Sequence, residues 1–353
     1  MLGVCAIPAA AYFLLLFLVP QSPRWLVQRN RSEEAKKVLR KIGGEKYSEI
    51  TLTEIVKHIE KDKTRSKANF RDLFSREMKL IMIIGLGIAA LQQISAINAI
   101  LYYSTLIFQA TGGGSDAAFM NAAIIGIVNL VFTIIAMSLI DRLGRKPLLV
   151  IGLTGIIIAY FISSMAFYQA TYKITPDNRA KIEVQLTQSG MSTSTIVEID
   201  KGLTNLDGKE YTSEVAFFNT VKENVGNSYD SIRSTVLQYS INMNAVLLLV
   251  GILLFIASFA ISLGPVTWAL LSEIFPNRIR GLAISIAGTF NALVSAIVIN
   301  VFPVELATFG TGLSFLIFGI LCALGLVFVL KYVPETKGKS LEEIQDMLEI
   351  RKN

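Results

Sequence analysis

From Leu80 to Phe108 the chain runs without a single charged side chain and is almost wholly apolar. A stretch of that length is long enough to cross the hydrocarbon of a bilayer as an α-helix, which needs about 20 residues. Further apolar runs occupy Met1 to Val19, Ala117 to Ile140, Leu148 to Tyr168, Asn242 to Leu271, Leu282 to Phe302 and Thr311 to Tyr332. Segments this long exclude a transmembrane β-barrel, whose strands alternate in units of about 10 residues. The expected fold class is therefore an all-α polytopic membrane protein, consistent with 52% hydrophobic residues in 353.

The same run carries a stripe that lipid would not tolerate. Within Leu91 to Ser104 (LQQISAINAILYYS) lie Gln92, Gln93, Ser95, Asn98, Tyr102 and Tyr103. At about 100° per helical residue, Gln92, Ser95, Asn98, Tyr102 and Tyr103 fall within an arc of about 140°, with Gln93 about 100° to the other side of Gln92. Polar groups at membrane depth face other helices or a water-filled cavity. A single amide would be read as interhelical glue; three carboxamides with two adjacent tyrosines point to a site for a neutral, hydroxyl-rich ligand.

The chain divides accordingly. Residues 1–20 form a membrane helix ending at Pro20, and its abrupt start suggests a fragment with preceding helices missing. Residues 21–79 form a cytosolic linker with short helices over Ser32 to Ile42 and Tyr47 to Ile59, separated by Gly43-Gly44. This linker holds 16 Lys/Arg against 9 Asp/Glu. Three spans occupy 80–168, and residues 169–241 are a hydrophilic, extracytoplasmic insertion with 7 Lys/Arg and 9 Asp/Glu. Within it, Ile182 to Leu186 and Thr195 to Ile199 favour strand, Asp207-Gly208 a turn, and Val215 towards Gln238 a helix. Residues 242–333 hold three more spans, and 334–353 are a cytosolic tail. Short loops alternate basic and non-basic, which by the positive-inside rule puts the linker, the turn Asp141 to Pro147, the segment Glu273 to Arg280 and the C-terminus in the cytosol. Seven spans in a plasma or inner membrane result.

Other functions are excluded by what the chain lacks. The net charge of +6 belongs to loops flanking apolar helices, so it marks orientation and not a nucleic-acid partner. Cys5 and Cys322 lie in apolar segments and read as core residues. His58, the only histidine, has no ligand partner in sequence, so no metal site is expected. Gly112-Gly113-Gly114 lacks the Gly-Lys-Ser/Thr ending of a phosphate loop. No G-x-S-x-G, H-E-x-x-H or paired intramembrane carboxylate occurs, so neither enzyme nor cofactor is expected.

Several motifs resemble, in order, those of the sugar porter family of the major facilitator superfamily, with bacterial xylose and hexose proton symporters as the members most like it. They are Pro20-Gln21-Ser22-Pro23-Arg24, the run Gln92 to Asn98 with Tyr102-Tyr103, the turn Asp141 to Lys146, Gly264-Pro265-Val266-Thr267-Trp268 with Ser272 to Pro276 and Arg280-Gly281, and Pro334 to Gly338. The resemblance implies helices six to twelve of that fold: the C-terminal six-helix half, one preceding helix and a cytosolic helical segment. It implies a monosaccharide, pentose or hexose, as substrate, the bilayer and the missing N-terminal half as partners, and alternating access between the halves. Carried over, the sugar contacts are Gln92, Gln93, Asn98, Asn129, Trp268 and Asn291, with Phe259 and Gly264 lining the pocket and Tyr102 and Tyr103 at an outer gate. Arg24, Asp141, Arg142, Arg145, Glu273, Arg280 and Glu335 would form a cytosolic gate network. Pro265 cannot donate to the carbonyl of Ile261, which predicts a kink beside the site.

Four residues depart from the family pattern. Gln21 replaces a usual Glu, Ala96 a frequent Gly, Thr267 a common Pro or small residue, and Ala292 a Trp. Two functions stay open: secondary-active or facilitative sugar transport, or a non-transporting membrane sugar sensor. No Asp or Glu lies deep in any span, so the coupling ion is undetermined, and with one wall of the site absent, transport by these residues alone is not expected.

Overall fold

The computed structural model describes residues 6–63, 73, 75, 78–102, 115–276 and 279–339. The chain forms two compact units, Met1–Asn69 and Phe70–Asn353.

In the first unit, α1 (Ala6–Leu16), α2 (Pro23–Gln28) and α3 (Ser32–Lys63) follow one another. Leu26 and Val27 of α2 pack with Ala35, Leu39 and Ile55 of α3 as a small core. Gly44 breaks α3 with a left-handed backbone, φ +83°, at the expected stop between the two linker helices. Arg29 and Arg31 lie 5.6 and 5.9 Å from the ring centre of Trp25, and Arg31 also donates to the Gln21 carboxamide at 3.2 Å.

The first apolar segment is helical over the described residues Ala6–Leu16, and its side chains are largely exposed. The helix loosens into tighter turns at Leu14 to Val19, as expected where Pro20 disfavours helical backbone before it. Six helices among the described residues are long and apolar enough to cross a membrane.

These six belong to the second unit. They are α4 (Met78–Ile94) with its continuation to Tyr102, α5 (Ser115–Leu143), α6 (Arg145–Tyr168), then, beyond the insertion, the broken helix Ala245–Ile274, and finally Arg280–Phe309 and Thr311–Tyr332. The insertion contributes β1 (Thr171–Lys173), α7 (Pro176–Gln188), α8 (Thr193–Thr204), β2 (Glu210–Tyr211), α9 (Glu214–Val225), α10 (Tyr229–Ser240) and β3 (Ile241–Asn242). The remaining helices are α11 (Ala245–Ile261), α12 (Leu263–Ile274), α13 (Arg280–Phe309) and α14 (Thr311–Tyr332).

Helix α6 meets α11 through small residues. A Cβ on Gly152 would collide with the Ser262 hydroxyl, and one on Gly155 with that of Ser258. Lipid supplies no hydrophobic drive between helices, so this close backbone approach and its dispersion contacts hold the pair. Tyr160 of α6 is buried among Phe255 of α11 and Phe315 and Phe318 of α14, with ring centres 5.1 to 6.2 Å away.

The insertion is a folded α+β layer with its own core of Tyr172, Ile182, Leu186, Ile199, Phe217, Val221, Ile232 and others. Its sheet has the order β2-β1-β3, both pairs antiparallel. Ile182 to Leu186 and Thr195 to Ile199, expected as strands, are helical in α7 and α8. Thr175 and Ser192 accept the N–H of Asn178 and Thr195 as N-caps. The caps start helices whose apolar residues then share one face, and this outweighs the weak strand preference of Ile, Val and Thr. Gly226 splits the expected long helix into α9 and α10.

Candidate functional site in the α4, α12 and α13 helices

Two helix breaks build the site. Helix α4 ends at Ile94, and Ala96 adopts a left-handed backbone, φ +57°, before helix resumes at Ile97. The break therefore occurs with Ala at the position where Gly is frequent. Three bonds pin it: the Ser95 hydroxyl donates to Gln92 O at 2.7 Å, the Ala96 N–H to Gln93 O at 2.9 Å, and the Tyr160 hydroxyl to Ser95 O at 2.5 Å. The second break, at Ser262 with φ −125° and ψ −96°, separates α11 from α12 three residues before Pro265. This is the expected kink.

Between the breaks, four carboxamides join into one directed chain. Asn98 Nδ2 donates to Gln93 Oε1 at 2.9 Å, and Gln93 Nε2 to Asn291 Oδ1 at 3.0 Å. Asn291 Nδ2 donates to Gln92 Oε1 at 2.9 Å, and Gln92 Nε2 to Leu263 O at 2.9 Å and Gly264 O at 3.3 Å. The orientations fix one another, because turning one amide over would set NH2 against NH2. Asn98 and Asn291 each use both hydrogens, the second going to Ser295 Oγ and Ala89 O. Gln93 retains one N–H, and the Asn98 carbonyl oxygen stays open among the described residues. Gln93 is buried and Asn98 half-buried. Two hydrogen-bonded neighbours of the relay thus keep one donor and one acceptor in a neutral setting, which matches a hydroxyl that donates and accepts at once.

The structure brings Gln92, Gln93, Asn98 and Asn291 together across α4, α12 and α13. Gly264 joins through its carbonyl, and the Phe259 ring lies 3.4 Å from where a Cβ on Gly264 would be. Trp268 is 44% exposed and lies against Gly288 of α13, outside the relay. Asn129 is half-buried on α5 and its carbonyl accepts the Thr133 hydroxyl at 2.7 Å; its side chain does not join the network. Tyr102 is 72% exposed, and Tyr103 lies outside the described residues, as does the Gly112-Gly113-Gly114 turn. Thr267 is fully buried with its hydroxyl unpaired among the described residues, and Ala292 is exposed. Sequence reasoning missed Ser295 and Tyr160. Ser295 carried a signal, being one turn from Asn291 on the same helical face; Tyr160 carried none, because its contact with Ser95 depends on how α6 packs.

A second cluster joins α5, α6, α12 and the segment after α14. Arg145 donates to Glu273 Oε1 at 2.7 and 3.0 Å, to Ile140 O at 3.0 Å, and lies 3.4 Å from Asp141. Glu335 accepts the backbone N–H groups of Arg145 and Lys146 at 3.1 and 3.0 Å, capping α6. Gly144, with φ +95°, makes room: a Cβ there would fall 2.7 Å from Glu335 Oε2. Arg142 takes part through its carbonyl, which accepts Lys337 Nζ at 2.5 Å, and Thr336 donates to Glu273 at 2.6 Å. Arg280 donates to Phe275 O at 3.1 Å. Arg24 is exposed on α2 in the other unit.

Comparison with known proteins agrees with this architecture. The family profile described as sugar (and other) transporter matches residues 1–182 and 231–348. The D-xylose-proton symporter of Escherichia coli K12 is 32% identical over 349 residues, covering 97% of this chain and 55% of the relative. The glucose facilitated diffusion protein of Zymomonas mobilis is 31% identical over 357 residues, covering 98% of this chain and 59% of the relative. The solved structure of the proton:xylose symporter XylE bound to 6-bromo-6-deoxy-D-glucose superposes with a TM-score of 0.64 at 31% identity, covering 97% of this chain and 57% of the other. The chain thus spans a little over half the length of the relatives it matches. With the profile matched over most of its length, the chain belongs to the sugar transporter family of the major facilitator superfamily.

Proposed function

We propose that this chain supplies one wall of a monosaccharide site in a transporter that works by alternating access, the opposing wall coming from an N-terminal half like that of its relatives. The carrying observation is the uncharged carboxamide relay, in which the bonded neighbours Gln93 and Asn98 keep one N–H and one oxygen unused among the described residues. Gln92 and Asn291 hold these two in place, and Gly264 and Phe259 shape the pocket beside them. Trp268 and Asn129 would meet sugar from positions outside the relay, and Tyr102 and Tyr103 would form the outer gate. The names of the relatives support a pentose or hexose as substrate. The linker, the Arg145 cluster and the C-terminus would face the cytosol and the insertion the outside, as the basic loops indicate. Asp141, Arg142, Arg145, Glu273, Arg280 and Glu335 would then make the cytosolic gate, whose partly exposed pairs are worth about 0–1 kcal/mol each and so break readily.

Equilibrium binding of D-xylose and D-glucose to the chain in lipid nanodiscs tests the site. Gln93→Ala and Asn98→Ala should each weaken binding by about tenfold or more, the worth of one buried hydrogen bond left unmade. Unchanged binding in both variants would sink the assignment. The insertion's own folded core favours a second reading, a sensor that binds without translocating. Sugar counterflow in vesicles separates the two, since a sensor exchanges nothing.

A further inference from the structure

The insertion and the ends of the membrane helices border an open cavity of about 530 Å³ that the central site does not use. It lies where the end of α6 and the corner between α13 and α14 meet β1 and the start of α9. Its size falls in the range of small-ligand sites, which favour such junctions.

The walls carry two kinds of chemistry. Aromatic rings come from three elements: Tyr168 closing α6, Tyr172 in β1 and Phe309 closing α13. Tyr172 is fully buried, whereas Tyr168 is 85% and Phe309 49% exposed, so two rings are open to an incoming molecule. Among them sits the carboxylate of Glu214, 8% exposed. One oxygen accepts the Thr311 N–H at 2.8 Å, and the other lies 3.6 Å from Arg233, too far for a hydrogen bond. Thr212 adds a hydroxyl at the rim.

Charge and desolvation narrow the ligand. An anion would meet a buried carboxylate. An organic cation, which an aromatic cage otherwise suits, would compete with Arg233, already paired to that carboxylate and placed 5.0 Å from the Phe218 ring. A wholly apolar ligand would strip the remaining solvent from the carboxylate without replacing its hydrogen bonds. A neutral polyhydroxylated ring satisfies all three limits, packing its apolar face on Tyr168 or Phe309 while its hydroxyls donate to Glu214. The geometry points to an accessory carbohydrate site at this junction, taking a neutral mono- or disaccharide and separate from the carboxamide relay.

Saturation-transfer NMR with maltose and D-glucose, on the full chain in lipid nanodiscs, tests it. Four proteins are compared: unmodified, Gln93→Ala, Tyr168→Ala and the double variant. Tyr168 is exposed, so its truncation leaves the fold intact, which thermal unfolding confirms. Saturable binding should persist in Gln93→Ala and weaken about tenfold in the double variant, the worth of one stacked ring. The inference is overturned if Gln93→Ala abolishes all saturable binding, if Tyr168→Ala changes nothing in that background, or if the signal tracks lipid and not sugar. A failure of the central site shows differently, as Gln93→Ala binding like the unmodified chain.

Discussion

Ala96 holds a left-handed backbone, φ +57°, that costs an L-residue about 1–2 kcal/mol. The cost is met by the bonds around it, above all the Tyr160 hydroxyl on the Ser95 carbonyl, which the helix break has released from its own ladder. Strain of this kind persists only where its surroundings over-determine it, and here it aims Gln93 and Asn98 from the two sides of the break. Removing the hydroxyl in Tyr160→Phe leaves a buried carbonyl unpaired and should destabilise the chain by about 1–3 kcal/mol. Ala96→Gly should instead stabilise by about 0.5–1 kcal/mol, the relief of strain less the added freedom of glycine in the unfolded chain. Thermal unfolding in lipid reads both; a loss of stability in Ala96→Gly would mean that the left-handed turn is not what the native chain adopts.

At the scale of elements, a buried acid helps to fasten the insertion to the bundle. Glu214, at the first turn of α9, caps the N-terminus of α14 by accepting the Thr311 N–H, a placement the positive end of a helix favours. Burial nonetheless pushes its pKa up from the ordinary carboxylate range, against the opposing pull of Thr311 and Arg233. The folded state therefore binds this proton more tightly than the unfolded state does. The stability it contributes is full below the ordinary carboxylate range and is lost as pH rises through the raised value. Thermal midpoints should accordingly fall on going from about pH 4 towards neutrality, and Glu214→Gln, which keeps an oxygen for Thr311, should flatten that slope. An unchanged slope would show that another group governs it. The helices around Glu214 were only partly legible: Val215 towards Gln238 has a helical pattern, but the β-branched content of α7 and α8 suggested strand, and only the caps and the shared core made them helices.

Across the whole second unit, the Arg145 cluster ties four elements at one end of the bundle while the carboxamide relay ties three at its centre. Gly144 is where the first of these is most sensitive to change. An alanine there would need the left-handed φ of +95° and would intrude on the Glu335 carboxylate. Gly144→Ala should destabilise by about 1–3 kcal/mol and release the segment after α14 from α6. Hydrogen exchange at Arg145 and Lys146, whose N–H groups Glu335 accepts, is the direct readout. Protection equal to that of the unmodified chain would contradict this account of the cap.

What the amino-acid order determined by itself was local or periodic. Long uncharged runs marked the membrane helices, because no other element satisfies its own backbone hydrogen bonds in lipid. A polar stripe in one such run marked the candidate site, because amides at that depth need partners, and Pro265 marked the kink because it lacks an N–H. The tertiary structure decided what depends on distance between helices. It set Asn291 between Gln92 and Gln93, gave the Ser95 carbonyl to Tyr160, and left Trp268 and Asn129 outside the relay. It also placed Glu335 over Gly144 and opened the cavity beside Glu214. None of these pairings has a sequence period, because each joins residues whose separation along the chain says nothing about their separation across a packed interface.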